Sequence, residues 1–273
     1  MSVLQWDKSG ERLWTVGVHN TVLFVSNPNK VNGYDNGIAW EGVSKITESP
    51  EGAEATDIWA NDGKYGTIRS SEQFKGTIEA YASPVEFDAC DGCATPAPGF
   101  VIHQQNRKPF ALCWMDTVGN DTSGADYSEV LHIVYNATAK PSSVDHESVN
   151  DSPNINPLSW EFETTPVSVE GYKPSSHFEF RKKDMQPSDW TALLGYVHGT
   201  DNTESTLPTP NALLETFGGA YTYTVLATEP DDWETKYYEK YYTKYGTFYT
   251  LIPRQDSAPT FVANHYYERA AAT

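Results

Sequence analysis

The chain has 273 residues, with 37 acidic against 19 basic side chains and a formal net charge of −18. That balance argues against tight, non-specific binding to nucleic acid, because neutralising phosphates takes clustered Lys and Arg. Three cysteines cannot all pair into disulfides, residues 1–10 hold no apolar run of the signal-peptide kind, and mean hydropathy is −0.55 with no stretch approaching the roughly 18 apolar residues of a membrane helix. These features predict a soluble protein that folds in a reducing cytoplasm and has no membrane partner.

Strand-like runs dominate the chain, each bounded by Gly, Pro, Asn or Asp. Thr21 to Ser26 is a compact apolar run, followed by the turn-rich stretch 27–37 and then by Ile38 to Ile46. Thr67 to Ser70 and Phe74 to Ala82 come next. In the latter, period-two alternation places Phe74, Gly76, Ile78 and Ala80 on one face, as suits a half-buried antiparallel strand. Phe110 to Met115, Glu129 to Tyr135, Trp160 to Thr164 and Ser176 to Phe180 complete the strand series. Two helices are predicted late in the chain. The first opens at Pro187 with Ser188 or Asp189 as cap, lays Trp190, Leu193, Leu194 and Val197 on one face, and stops at Gly199. The second is introduced by Pro210, spans Asn211 to Phe217 and ends before Gly218 and Gly219. From Ala220 onward Tyr, Trp and Phe crowd together, so a boundary at the glycine pair divides the chain into a β domain, 1–219, and an aromatic-rich appendage, 220–273. A hairpin on Thr247 to Ile252 and Thr260 to Ala263 is expected there. The predicted fold class is mainly β, a sandwich of two antiparallel sheets with one or two short helices.

No pattern of catalytic residues emerges. Cys90 and Cys93 form a C-x-x-C pair that would need Cys113 and His103 to complete a zinc site. The last two are separated by a predicted strand instead of forming a second tight pair, so isolated thiols are the preferred reading. Glu161 and Glu163 share a strand face, as the carboxylates of a glycosidase do, but an acidic chain produces such pairs by frequency, as it does Asp231 with Asp232. NDGK at 61–64 lacks the carboxylates of a calcium loop. Histidines 19, 103, 132, 146, 177, 198 and 265 are scattered, and neither a phosphate-cradling glycine loop nor a G-x-S-x-G serine is present. No catalytic residue, cofactor or metal is expected, and the chain is read as a non-enzyme.

Seven segments in order carry a resemblance. They are WDKSGERLW (6–14), the long run GIAWEGVSKITESPEGAEATDIWANDGKYGTIRSSEQFKGTIEAY (37–81), SPVEFDACDG (83–92), APGFVIHQQNRKPFALCW (97–114), GNDTSGADYSEVLHIVYNATAKPSS (119–143), NDSPNINPLSWEFETTPVSVEGYKPSS (150–176) and LPTPNALLETF (207–217). Together they resemble the major tail protein, or tail tube protein, family of long-tailed bacteriophages of Gram-positive bacteria. The resemblance implies a virion subunit made in the host cytoplasm. Hexameric rings of it would stack into a hollow tube around a tape measure protein, between a tail-tip initiator and a tail terminator, and DNA would pass through the lumen at ejection without specific binding. It also implies a long loop or hairpin reaching from one ring to the next, for which the acidic stretch Thr47 to Tyr65, with Glu48, Glu51, Glu54, Asp57 and Tyr65, is the candidate. A subunit this acidic predicts salt-sensitive assembly and a channel that repels phosphate. The resemblance does not extend over the aromatic C-terminal stretch, and the alternative reading is a carbohydrate-binding virion module that uses Trp and Tyr faces for host attachment.

Overall fold

The computed structural model describes residues 4–52, 54–144, 146, 148, 157–218, 222–224, 237–243, 246–252 and 268–270. The chain divides into two compact units, Met1–Pro208 and Thr209–Thr273.

The first unit contains twelve described strands: β1 (Leu13–Val25), β2 (Ile38–Ala39), β3 (Val43–Glu48), β4 (Ala55–Ala60), β5 (Gly63–Arg69), β6 (Lys75–Ala80), β7 (Ala94–Ala97), β8 (Phe100–Ile102), β9 (Phe110–Asn120), β10 (Gly124–Ala139), β11 (Leu158–Thr164) and β12 (His177–Arg181). Helix α1 (Pro187–His198) follows them. The main sheet runs β2-β1-β9-β10-β11-β6-β3, antiparallel throughout, with β12 also on β10. This is the mainly β, antiparallel architecture with short helices that the periodicity predicts, and it is consistent with a sandwich.

One long strand serves both layers. β10 follows β9 along one edge. On its other edge Val130–Val134 pair with β12, whereas Ala137–Ala139 pair with β11. The change of partner coincides with a register shift between Val134 and Ala137, where Asn136 takes a positive φ of 51°. Such a bulge bends a strand and raises its twist, and asparagine tolerates the left-handed conformation better than most residues.

The core lies between the layers. Leu23, Leu112, Trp114 and Val134 face Ile78, Ala80, Trp160 and Phe162, and all are buried. Alternation along β6 is as the sequence predicts, with Gly76, Ile78 and Ala80 buried. Gly76 cannot be enlarged, because a Cβ there would come 2.6 Å from both the Phe162 ring and the Thr47 carbonyl oxygen. A short 3-10 turn, Val85–Ala89, adds Phe87, whose ring centroid sits 4.6 Å from Trp40 and 5.3 Å from Trp160. The two indoles keep their N–H groups satisfied: Trp40 donates to the Ala82 carbonyl at 2.8 Å and Trp160 to Asp91 at 3.2 Å.

The opposite face of β1, β9 and β10 is also buried, through Val22, Phe24, Ala111, Cys113, Ile133 and Tyr135. Buried on both sides, the first six residues of β9, Phe110 to Met115, read as an unbroken apolar run. The cover comes from the segment after β12. Helix α1 buries Trp190, Leu193 and Val197, and the loop beyond it donates Ser205 Oγ–H to the Val197 carbonyl, while the Tyr135 hydroxyl donates to the Pro208 carbonyl at 2.8 Å. Pro187 opens the helix as predicted, but Gln186 occupies the cap position without a side-chain bond, and neither Ser188 nor Asp189 caps it. Gly199, with φ 78°, ends it.

In the second unit α2 (Pro210–Leu213) is capped by Thr209 Oγ1, which accepts from the Ala212 N–H at 3.3 Å, and the chain continues as a π-type turn, Leu214–Gly218. β13 (Thr222–Thr224) pairs with β16 (Glu268–Ala270), and β14 (Tyr237–Thr243) pairs with β15 (Gly246–Ile252). The expected strand at 247–252 is present, but its partner is β14. Residues 260–263 lie outside the described residues. No helix among the described residues is long and apolar enough to cross a membrane.

The cysteines divide by environment. Cys90 and Cys113 are buried in the two apolar faces, and Cys93 sits partly open. Burial pushes the Cys90 thiol up to about 12 and the Cys113 thiol higher still, so neither offers a thiolate at neutral pH. An aromatic disulfide reagent at pH 8 is therefore expected to titrate one thiol quickly in the native chain, lost in Cys93→Ser, and all three only after denaturation. Rapid reaction of two or three native thiols would contradict this packing.

Candidate functional site

β3 and β6 are hydrogen-bonded neighbours, with Glu48 opposite Gly76 at the end of their ladder. Beyond that point the two chains leave the sandwich together. Glu51 and Gln73 exchange both backbone bonds, at 2.9 and 2.7 Å, and Lys75 Nζ reaches Glu51 at 2.6 Å. Ser70 and Glu54 then pair, and β4 with β5 closes the extension as a two-stranded sheet of its own. The result is an arm over residues 49–74. At about 3.3 Å per residue, the contour from Glu48 to its tip is roughly 40 Å.

Local sequence explains the hairpin. Asn61 and Asp62 at the tip have φ of 51° and 61°, the pair of left-handed positions that a tight hairpin turn needs to match strand twist, and both residue types tolerate them. Asp57 on β4 accepts from Thr67 Oγ1 at 2.8 Å and pairs with Lys64 Nζ at 2.7 Å, which holds its carboxyl below the usual carboxylate range. A register shift between Ile58 and Trp59 leaves Tyr65 as the extra residue on β5.

Among the described residues no second layer covers this arm. Every residue of β4 is exposed and almost every residue of β5, including Trp59 at 66 % and Tyr65 at 79 %. Thr56 lies opposite Ile68 and Ile58 opposite Gly66, so one face presents two isoleucines to solvent. A lone two-stranded hairpin is marginal in water, and open strand edges invite pairing.

The residues singled out by sequence thus distribute along one feature. Glu48 ends β3, Glu51 ties the root, Glu54 lies at the approach to β4, Asp57 braces the hairpin and Tyr65 is exposed near its tip. Of the stretch 47–65, expected as a long loop or hairpin, residues 55–60 and 63–65 lie in the two strands of a hairpin. Its polar residues are there because both faces meet water, which removes the apolar alternation that marks a strand.

At the arm's root the structure assembles a group that sequence spacing conceals. His132 on β10 lies opposite Glu179 and Trp114 in the ladders, and His177 on β12 lies opposite Val134, so the two imidazoles are diagonal neighbours on the core-facing side. His132 Nδ1 is 3.1 Å from His177 Nε2, and Glu48 Oε1 is 3.6 and 3.8 Å from those same atoms. The far nitrogen of His132, Nε2, is 3.4 Å from Asp116. Trp114 stacks flat on His132, with centroids 4.8 Å apart at 2°, and Phe74 packs on His177 at 4.4 Å. Burial, helped by the neighbouring His132, lowers the His177 pKa to about 4, so that ring is neutral near pH 7. Burial and the nearby carboxylates outweigh His132 and raise Glu48. A cleft of about 720 Å³ lined by Trp14, Glu48, Asp116, His132, Glu179 and Arg181, among others, opens onto the group.

The other sequence candidates do not converge. Cys93 Sγ lies 3.1 Å from His103 Nδ1, but Cys90 and Cys113 point into the core. Glu161 is exposed and Glu163 pairs with Lys140 at 3.4 Å. Residues 231 and 232 lie outside the described residues. No protein-family model matches the chain, and no curated protein matches it.

Because β4 and β5 are exposed almost throughout, backbone amides of 55–69 in dilute protein are expected to exchange with deuterium at least about a hundredfold faster than those of β9 and β10, the fraying end of the local stability range. Mass-spectrometric exchange checks this; equal protection of arm and core would show that the arm is already covered.

Proposed function

We propose that this chain is a non-enzymatic structural subunit whose arm finds its cover in another copy of the chain, in the manner of the tail tube proteins its sequence resembles. The observation that carries the reading is the strand pair of 49–74, which leaves the sandwich with apolar side chains on an uncovered hairpin. Exposed large apolar side chains gathered on one hairpin suit a protein contact site. A second copy is the favoured occupant because the segment 37–81, which contains the whole arm, is the longest of those carrying the resemblance to a family that works by self-assembly.

Other features support the same reading. Among the described residues β2, β3 and β12 end the main sheet with one edge open, and closed rings are one way identical subunits bury such edges. Leu4, Trp6 and Val16 add exposed apolar surface near the N-terminal end of β1. The net charge of −18 opposes close packing of copies, so counter-ions must screen them, and a tube of such subunits would let DNA slide without adhering.

Negative-stain microscopy of the concentrated chain across a salt series tests the proposal. Rings or tubes of uniform bore are expected, favoured by higher ionic strength. A variant in which 55–69 is replaced by a short Gly-Ser linker is expected to keep its β circular dichroism and lose the assemblies. Assemblies that form equally well without the arm would overturn the role given to it, and a chain that stays monomeric at every salt and concentration would overturn self-assembly.

A further inference from the structure

We infer that Glu48, His132 and His177 form a binding site for one divalent transition-metal ion of the zinc class, set where the arm leaves the sandwich. This goes beyond the assembly reading and does not depend on it.

The three donor atoms, Glu48 Oε1, His132 Nδ1 and His177 Nε2, form a triangle with sides of 3.1, 3.6 and 3.8 Å. Ligands at about 2.0–2.2 Å from zinc in a tetrahedral arrangement are separated by roughly 3.3–3.6 Å. The side chains therefore need only small shifts to share an ion. Among the described residues this is the one group of three such side chains gathered so closely.

The surroundings favour the same assignment. Asp116 lies 3.4 Å from His132 Nε2, on the far side of the ring from Nδ1, the atom facing His177 and Glu48. A carboxylate behind a ligating imidazole is the usual outer partner that fixes the tautomer and orients the ring. Stacking on Trp114 holds the ring plane. Three carboxylates, Glu48, Asp116 and Glu179, lie around the two imidazoles, with Arg181 3.0 Å from Glu179 and Lys183 also lining the cleft.

Ligand chemistry narrows the ion. Two nitrogens and one carboxylate suit zinc and its first-row neighbours, whereas calcium and magnesium prefer oxygen-only sets. Three protein donors leave one tetrahedral position facing the cleft, open to water or to a donor from a neighbouring copy. The ligands come from both layers, β3 on one side and β10 with β12 on the other, so a bound ion would staple the last residue before the arm to the opposite sheet.

Chelator-treated full chain is titrated with zinc chloride by calorimetry, and with cobalt(II) by absorption. One zinc per chain is expected, with a raised thermal midpoint. Glu48→Gln and His177→Gln are each expected to weaken binding at least tenfold, Asp116→Asn by about 10–100-fold, and Cys93→Ser not at all. The inference fails if wild-type protein takes up no stoichiometric zinc, if the Glu48→Gln/His177→Gln double variant binds as tightly as wild type, or if Cys93→Ser abolishes binding. Should a variant not fold, the wild-type cobalt spectrum still decides. Visible bands without thiolate charge transfer support a nitrogen and oxygen set, and strong thiolate charge transfer places the ion at Cys93 and overturns the assignment.

Discussion

A pair of strands that runs out of its sheet must still satisfy its backbone and shelter its apolar side chains. β3 and β6 run out together, and the bonds between Glu51 and Gln73 and then along β4 and β5 meet the first requirement within the chain. The second is not met there. Ile58, Trp59, Tyr65 and Ile68 remain in solvent, whereas the first half of β9 touches water with scarcely a residue. This contrast between the buried centre of the sandwich and the exposed arm is the constraint from which the functional reading follows.

The sandwich prepares that arm. The bulge at Asn136 lets β10 bond β12 with one half and β11 with its end, so the layer carrying His132 and His177 is continuous through β11 and β6 with the layer from which the arm departs. Glu48, the last residue of β3, then meets the two imidazoles across the end of the interior. The start of the arm therefore lies beside the pair of imidazoles.

Much of the body was legible in the sequence. Period-two alternation in 74–82 located β6 and its buried face, Pro187 and Gly199 bracketed α1, and the apolar run at 110–115 located β9. Extents were less legible. β1 begins at Leu13, well before Thr21, because its first half is exposed and bulged and so lacks a clean alternation. β4, β7 and β8 escaped for the same reason, since strands wet on both faces carry no burial pattern. The histidine cluster escaped for a different one. Its members are brought together by cross-strand register, 132 against 179 and 134 against 177, and by the closure of β3 over the opposite sheet, none of which leaves a spacing motif. A C-x-x-C pair does leave such a motif, and it drew attention to thiols that the fold keeps apart.

A photo-activated cross-linker placed at position 59, near the arm's tip, tests the central claim most directly. In assembled material the account predicts adducts between two copies of the chain, absent from the same protein irradiated when dilute. Adducts confined within single chains under both conditions, with assemblies nevertheless present, would contradict it.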